Sequence, residues 1–185
     1  MEIDINQKKI SIGDKYRIHM DGQQTHTAST KLFRWLAEIN LYPGDSDQPR
    51  YTMKKKWSWI RISFDLTRWD YKVFEFRTKS VWKRQYYCQA GSDLYDIYGH
   101  RGRKFSIYKN GHQIAWWDQK RVTWFDGDNY KITADRDADH ELLISFCLVI
   151  DNAISHSNNG NALNINIGHI GPQAMKFDPG WQPKL

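Results

Sequence analysis

Three aspartates at alternating positions, Asp135, Asp137 and Asp139, sit in the run Asp-Arg-Asp-Ala-Asp and carry the spacing most like a metal site. Acidic side chains at positions 1, 3 and 5 open a calcium-binding EF-hand loop. Such a loop then needs glycine at position 6 and a bidentate glutamate at position 12. Here those positions hold His140 and Phe146, so an EF-hand is excluded. The preferred reading is that the aspartates cap a following helix and favour its positive dipole end. A weak calcium site of another kind is the alternative.

Other reactive residue types fall short of a catalytic pattern. His140-Glu141 begins like the zinc motif H-E-x-x-H, but the second histidine position is Ile144. Seven histidines are scattered without metal-ligand spacing. No phosphate loop, dinucleotide fingerprint or nucleophile elbow is present, so neither an enzyme nor a bound cofactor is expected. Cys88 reads as an ordinary strand cysteine, a nucleophile there being the alternative. Cys147 lies in an apolar run and should face the core, so a Cys88–Cys147 disulfide is not expected. Reduced thiols point to an intracellular protein.

Basic residues cluster beside tryptophans. Lys54, Lys55 and Lys56 adjoin Trp57 and Trp59; Lys79, Lys83 and Arg84 bracket Trp82; and His100-Arg-Gly-Arg-Lys104 sits at a turn. Lys54, Lys55, Lys56, Lys83 and Arg84 are the candidate ligand-binding residues. Ammonium and guanidinium groups gathered on one side would hold a phosphorylated headgroup, and interleaved tryptophan suits a membrane interface or base stacking. The competing reading is that strand alternation places the cations in water and the tryptophans in the core. A net charge of +6 favours anionic partners, although solubility alone accounts for such a charge.

The elements that must position these groups are mostly strands. A chain of 185 residues buries about 70% of its unfolded surface as one domain. Aromatics make up 15%, ample for a packed core. The first residues lack the basic and apolar regions of a signal peptide. Asn110-Gly111 between two alternating runs, residues 104–109 and 112–118, is a hairpin signal because both turn residues tolerate positive φ. Strands are then expected at 121–125 and 129–133, joined by Asp126-Gly127-Asp128.

Upstream, strands are expected at 15–20, from 23, and at 50–56, 59–66, 71–78, 83–90 and 94–98. The segment 31–42 is apolar and aromatic and ends in a loop at 43–47. Within it residues 32–40 read as strand, with a helix as the alternative. After residue 154 the expectation is a polar loop to 161, a strand at 163–167 and a loosely ordered tail over 172–185.

One segment differs from all of these. Between Leu142 and Ile154 only Ser145, Asp151 and Asn152 are polar. At about 100° per residue Ser145 and Asn152 share a narrow stripe with Glu141, leaving nearly the whole circumference apolar. Spanning a bilayer takes about 20 such residues, so a buried core helix over about 139–154 is the reading. Ten to twelve antiparallel strands close naturally into a barrel, which removes exposed edges. A barrel that wide needs a filling, and this helix supplies it.

The order Phe105-Ser-Ile-Tyr-Lys-Asn-Gly, Gln113-Ile-Ala-Trp, Asp126-Gly-Asp-Asn-Tyr-Lys-Ile132, then Glu141 to Asp151 resembles the LURP-one-related proteins of the tubby C-terminal-like superfamily. The resemblance is weaker upstream, at Lys54-Lys-Lys-Trp-Ser-Trp59 and residues 71–76. It implies a single domain over 1–185, mainly β, with about twelve antiparallel strands enclosing a central hydrophobic C-terminal helix. It also implies a basic patch that binds phosphoinositide or anionic membrane, although none of tubby's lipid-contacting residues aligns here. Scramblases of the superfamily use an acidic segment near this place for calcium, which keeps that alternative open for Asp135, Asp137 and Asp139. The expectation is a non-enzymatic, cytoplasmic binding module, peripheral at a membrane, with nucleic acid not expected as a partner. A protein-interaction or structural scaffold with no lipid ligand is the alternative.

Overall fold

Alternation of apolar and polar side chains runs through twelve strands: β1 (Glu2–Ile10), β2 (Gly13–Met20), β3 (Gln23–Phe33), β4 (Leu36–Pro43), β5 (Tyr51–Lys55), β6 (Ser63–Arg68), β7 (Val73–Ser80), β8 (Gln85–Ala90), β9 (Asp93–Gly99), β10 (Lys104–Lys109), β11 (His112–Lys120) and β12 (Asn129–Ala134). The computed structural model describes residues 1–10, 13–33, 36–44, 46–58, 61–120, 129–157 and 173–184. Each strand pairs antiparallel with its neighbours in sequence, and β1 pairs with β12 to close the barrel. The closing ladder sets Ile3 against Ile132 and Ile5 against Tyr130, all buried inward. Two tight turns show why a meander is easy for this sequence. Asp21-Gly22 and Asn110-Gly111 each place two successive residues at positive φ, the geometry whose twist matches paired strands.

The helix α1 (His140–Ser157) fills the barrel. Every residue from Leu142 to Ile150 is buried. Phe146 packs against Phe76 of β7 at a centroid distance of 5.8 Å and edge-on against Tyr95 of β9 at 5.5 Å. On another side Asp151 accepts hydrogen bonds from Tyr16 of β2 and Tyr130 of β12. Contacts from so many directions explain a helix with almost no polar face: there is no water around it to face. Both cysteines are buried and free, and burial pushes the Cys88 thiol up to about 12.

Expectation and structure differ in places. The described residues within 32–40 form neither one strand nor a helix: residues 32–33 end β3 and residues 36–40 begin β4, and the two strands pair down to Phe33 and Leu36. β1 is absent from the expected set, although Ile3 and Ile5 alternate with Asp4 and Asn6. The expected strands at 121–125 and 163–167, the turn at 126–128 and the loop beyond 157 lie outside the described residues, and β11 pairs directly with β12. In the tail, Phe177 sits edge-on to His100 and Trp116 under the Lys104 ammonium. The Lys184 amide donates to Asp135 Oδ1 at 2.6 Å.

Candidate functional site

Strict up-and-down order sorts the connections onto two ends of the barrel. At one end lie the start of α1 and the turns at 21–22, 69–72, 91–92 and 110–111. At the other lie the connections β5–β6, β7–β8 and β9–β10, because each follows a strand running the same way. Those three carry most of the basic segments. Lys55, Lys56 and Arg61 lie in or beside the first, Lys83 in the second, and a 3-10 turn at Arg101–Arg103 forms the third.

Their electrostatic states differ. Lys54 points outward with Glu38 at 3.7 Å, and Lys56 pairs with Asp65 at 2.6 Å. Burial lowers the Lys55 ammonium, making its charge less secure. Arg61, Lys83 and Arg101 are exposed and form no ion pair among the described residues.

Arg84 is separated from this group. It is only 5% exposed, its guanidinium lies 4.5 Å over the Phe105 ring, and Nη1 donates to the His100 carbonyl at 3.4 Å. Burial lowers its pKa. It holds the β7–β8 and β9–β10 connections together from beneath and does not reach solvent beside Lys83. Arg84 shares the inward phase of Tyr86 and Cys88 on β8, whereas Lys83, one residue earlier, is exposed.

The aspartates lie at the opposite end. Asp139 Oδ1 accepts the Leu142 amide at 3.0 Å, a helix cap, while buried Asp135 binds the tail and Asp137 is exposed. Among the described residues no three His, Cys, Asp or Glu side chains are grouped to hold a metal.

Sequence reasoning missed a polar cluster beside that cap. Glu141 accepts hydrogen bonds from His26 Nε2 at 3.2 Å and Arg50 Nε at 3.0 Å. Burial raises its carboxyl, but the two donors outweigh that and hold it below its ordinary value. The tryptophans also divide unexpectedly. Trp117 is buried and stacks on Phe105 at 4.7 Å, whereas Trp57, Trp69 and Trp82 are exposed. A tryptophan within two residues of a strand end and beside a basic residue (Lys56, Arg68 or Lys83) was the available signal for the exposed ones.

A closed antiparallel barrel packed around a hydrophobic helix defines a class of protein consistent with the tubby-like superfamily. Within it, this chain belongs to the LURP-one-related family, whose model matches residues 1–151. No curated protein and no solved structure matches the chain. The family is not a known enzyme family, and membership is consistent with a non-enzymatic binding module. No helix among the described residues is long and apolar enough to cross a membrane.

Proposed function

We propose that this protein is a non-enzymatic, peripheral binding module of the cytoplasm that engages phosphoinositide or other anionic membrane surfaces through the β5–β6, β7–β8 and β9–β10 end of the barrel. The observation that carries this reading is convergence: basic segments far apart in sequence occupy three connections at one end, with Arg61, Lys83 and Arg101 unpaired there. Each engaged cation near an anionic surface contributes about 1 kcal/mol. An apolar helix fills the lumen, which leaves the rim as the place for a ligand.

Pelleting with phosphatidylcholine vesicles, with and without phosphatidylserine or phosphatidylinositol bisphosphate, tests it. Binding is expected to need the anionic lipid and to weaken as salt shortens the Debye length from about 10 Å at 0.1 M. Lys83→Glu and Arg61→Glu, at exposed side chains with no ion pair among the described residues, should each weaken it without unfolding the barrel. No binding of the wild-type protein at low salt would end this reading.

A protein-interaction scaffold is the second reading. Trp69, Tyr71 and Val73 are all exposed around the β6–β7 turn at the opposite end, where Asp70 is paired with Arg68 and Lys72. Exposed apolar groups of that kind mark interaction surfaces.

A further inference from the structure

We infer that Trp82 and Trp57 are interfacial anchors: they enter the headgroup layer of an anionic bilayer from adjacent hairpin connections and dock the barrel by that end. This rests on the membrane reading above and adds an apolar contact and an orientation to it.

Trp82 is 86% exposed at the tip of the β7–β8 connection, and Trp57 is 73% exposed just past β5. The two tips are neighbours because β6 and β7 pair with Ser63 opposite Arg77. Leu36, exposed at the start of β4, continues the same arc.

The tips are built to stay extended. The Lys56 amide donates to the Ser63 carbonyl at 2.8 Å, so Trp57 is the first residue beyond the ladder. In the other connection the Arg84 amide donates to the Val81 carbonyl at 3.1 Å, and the Lys83 amide donates to Ser80 Oγ at 3.3 Å. Buried Arg84 clamps that turn from below.

A bilayer is the occupant that fits what surrounds these rings. Tryptophan favours the boundary where one side is apolar and the other wet. Its flanking groups here are Lys83, Arg61 and Arg101, cations suited to lipid phosphates. Arg61, Lys83 and Arg101, which form no ion pair among the described residues, complement the charge of an anionic bilayer. With both rings inserted, the opposite end, where α1 begins, faces away from the membrane.

The test uses the intact protein and phosphatidylcholine–phosphatidylserine vesicles at low salt and at about 1 M salt, where the Debye length is about 3 Å. Wild-type protein should keep residual binding at high salt, and brominated lipids should quench part of its tryptophan fluorescence. Trp82→Ser should weaken the residual binding about tenfold, the size of removing roughly half the burial of one aromatic side chain, and should abolish much of the quenching. Trp57→Ser should act in the same direction. Trp82→Ser should melt like the wild type, since its ring faces solvent. Soluble inositol hexakisphosphate should compete with the low-salt binding and leave the residual part.

Low-salt binding that high salt removes entirely, or residual binding and quenching unaffected by both substitutions, would overturn the anchors while leaving the basic end intact. No binding at low salt would overturn both.

Discussion

The Tyr16 hydroxyl on β2 donates to Asp151 Oδ2 on α1 at 2.8 Å, joining residues 135 apart in sequence inside the barrel. Tyr130 of β12 donates to the other carboxyl oxygen, and Gln7 and Gln119 reach the two tyrosine hydroxyls. A buried carboxyl group is tolerated only when hydrogen-bonded, so this network fixes how far the helix penetrates and which way it is turned. Tyr16→Phe keeps the ring and removes one donor. It should cost about 1–3 kcal/mol in urea unfolding, and an unchanged midpoint would show that the bond contributes nothing.

Phe146 tests the barrel filling itself. Its ring meets Phe76 and Tyr95 on two different strands. Phe146→Ala should cost about 3–5 kcal/mol through lost transfer energy and the cavity left behind. Phe146→Asp should cost more, because it buries a charge with no partner. An aspartate variant melting at the wild-type temperature would refute a helix packed inside the strands.

Glu141 predicts part of the acid limb of stability. Its folded carboxyl is held below the ordinary 4.5 by His26 and Arg50 despite burial. A depressed folded pKa contributes stability that is fully present above the unfolded value and lost as pH falls through the folded one. The wild-type advantage over Glu141→Gln should therefore be largest above pH 4.5 and shrink as pH falls below it. Urea midpoints of the two proteins across that range measure it. A difference that stays constant with pH would assign the cluster a role independent of charge.

Gly99 tests the clamp beneath the rim. A Cβ there would lie 2.7 Å from Arg84 Cβ and 3.1 Å from the Phe105 ring. Neither neighbour can retreat easily, since the Gly99 amide already donates to the Arg84 carbonyl at 2.9 Å. Gly99→Ala should destabilise by about 1–3 kcal/mol as an overpacking change. Thermal melting indistinguishable from wild type would mean that the two connections move apart freely.

Most of the strands, the core helix and its start could be read along the chain, because each depends on residues close in sequence. β-Branched and aromatic content wrote β7, and Asn110-Gly111 wrote the turn between β10 and β11. The nearly all-apolar run from Leu142 wrote α1, with Asp135, Asp137 and Asp139 just ahead of it as candidate caps. Even β1 was legible in its isoleucines, which alternate with Asp4 and Asn6 before a hairpin partner, β2. The closure of β1 against β12 spans about the whole barrel sequence.

What only the tertiary structure decided is which neighbours in sequence share a surface. Lys83 and Arg84 are adjacent, yet one reaches solvent and the other is packed over Phe105, because Arg84 falls in the inward phase that Tyr86 and Cys88 continue along β8. His26, Arg50 and Glu141 meet although far apart, because β3, the approach to β5 and the start of α1 all reach the same end. Sequence determined the elements through local periodicity and turn chemistry. Barrel closure determined the rims, because only the direction in which each strand runs assigns a connection to one end or the other.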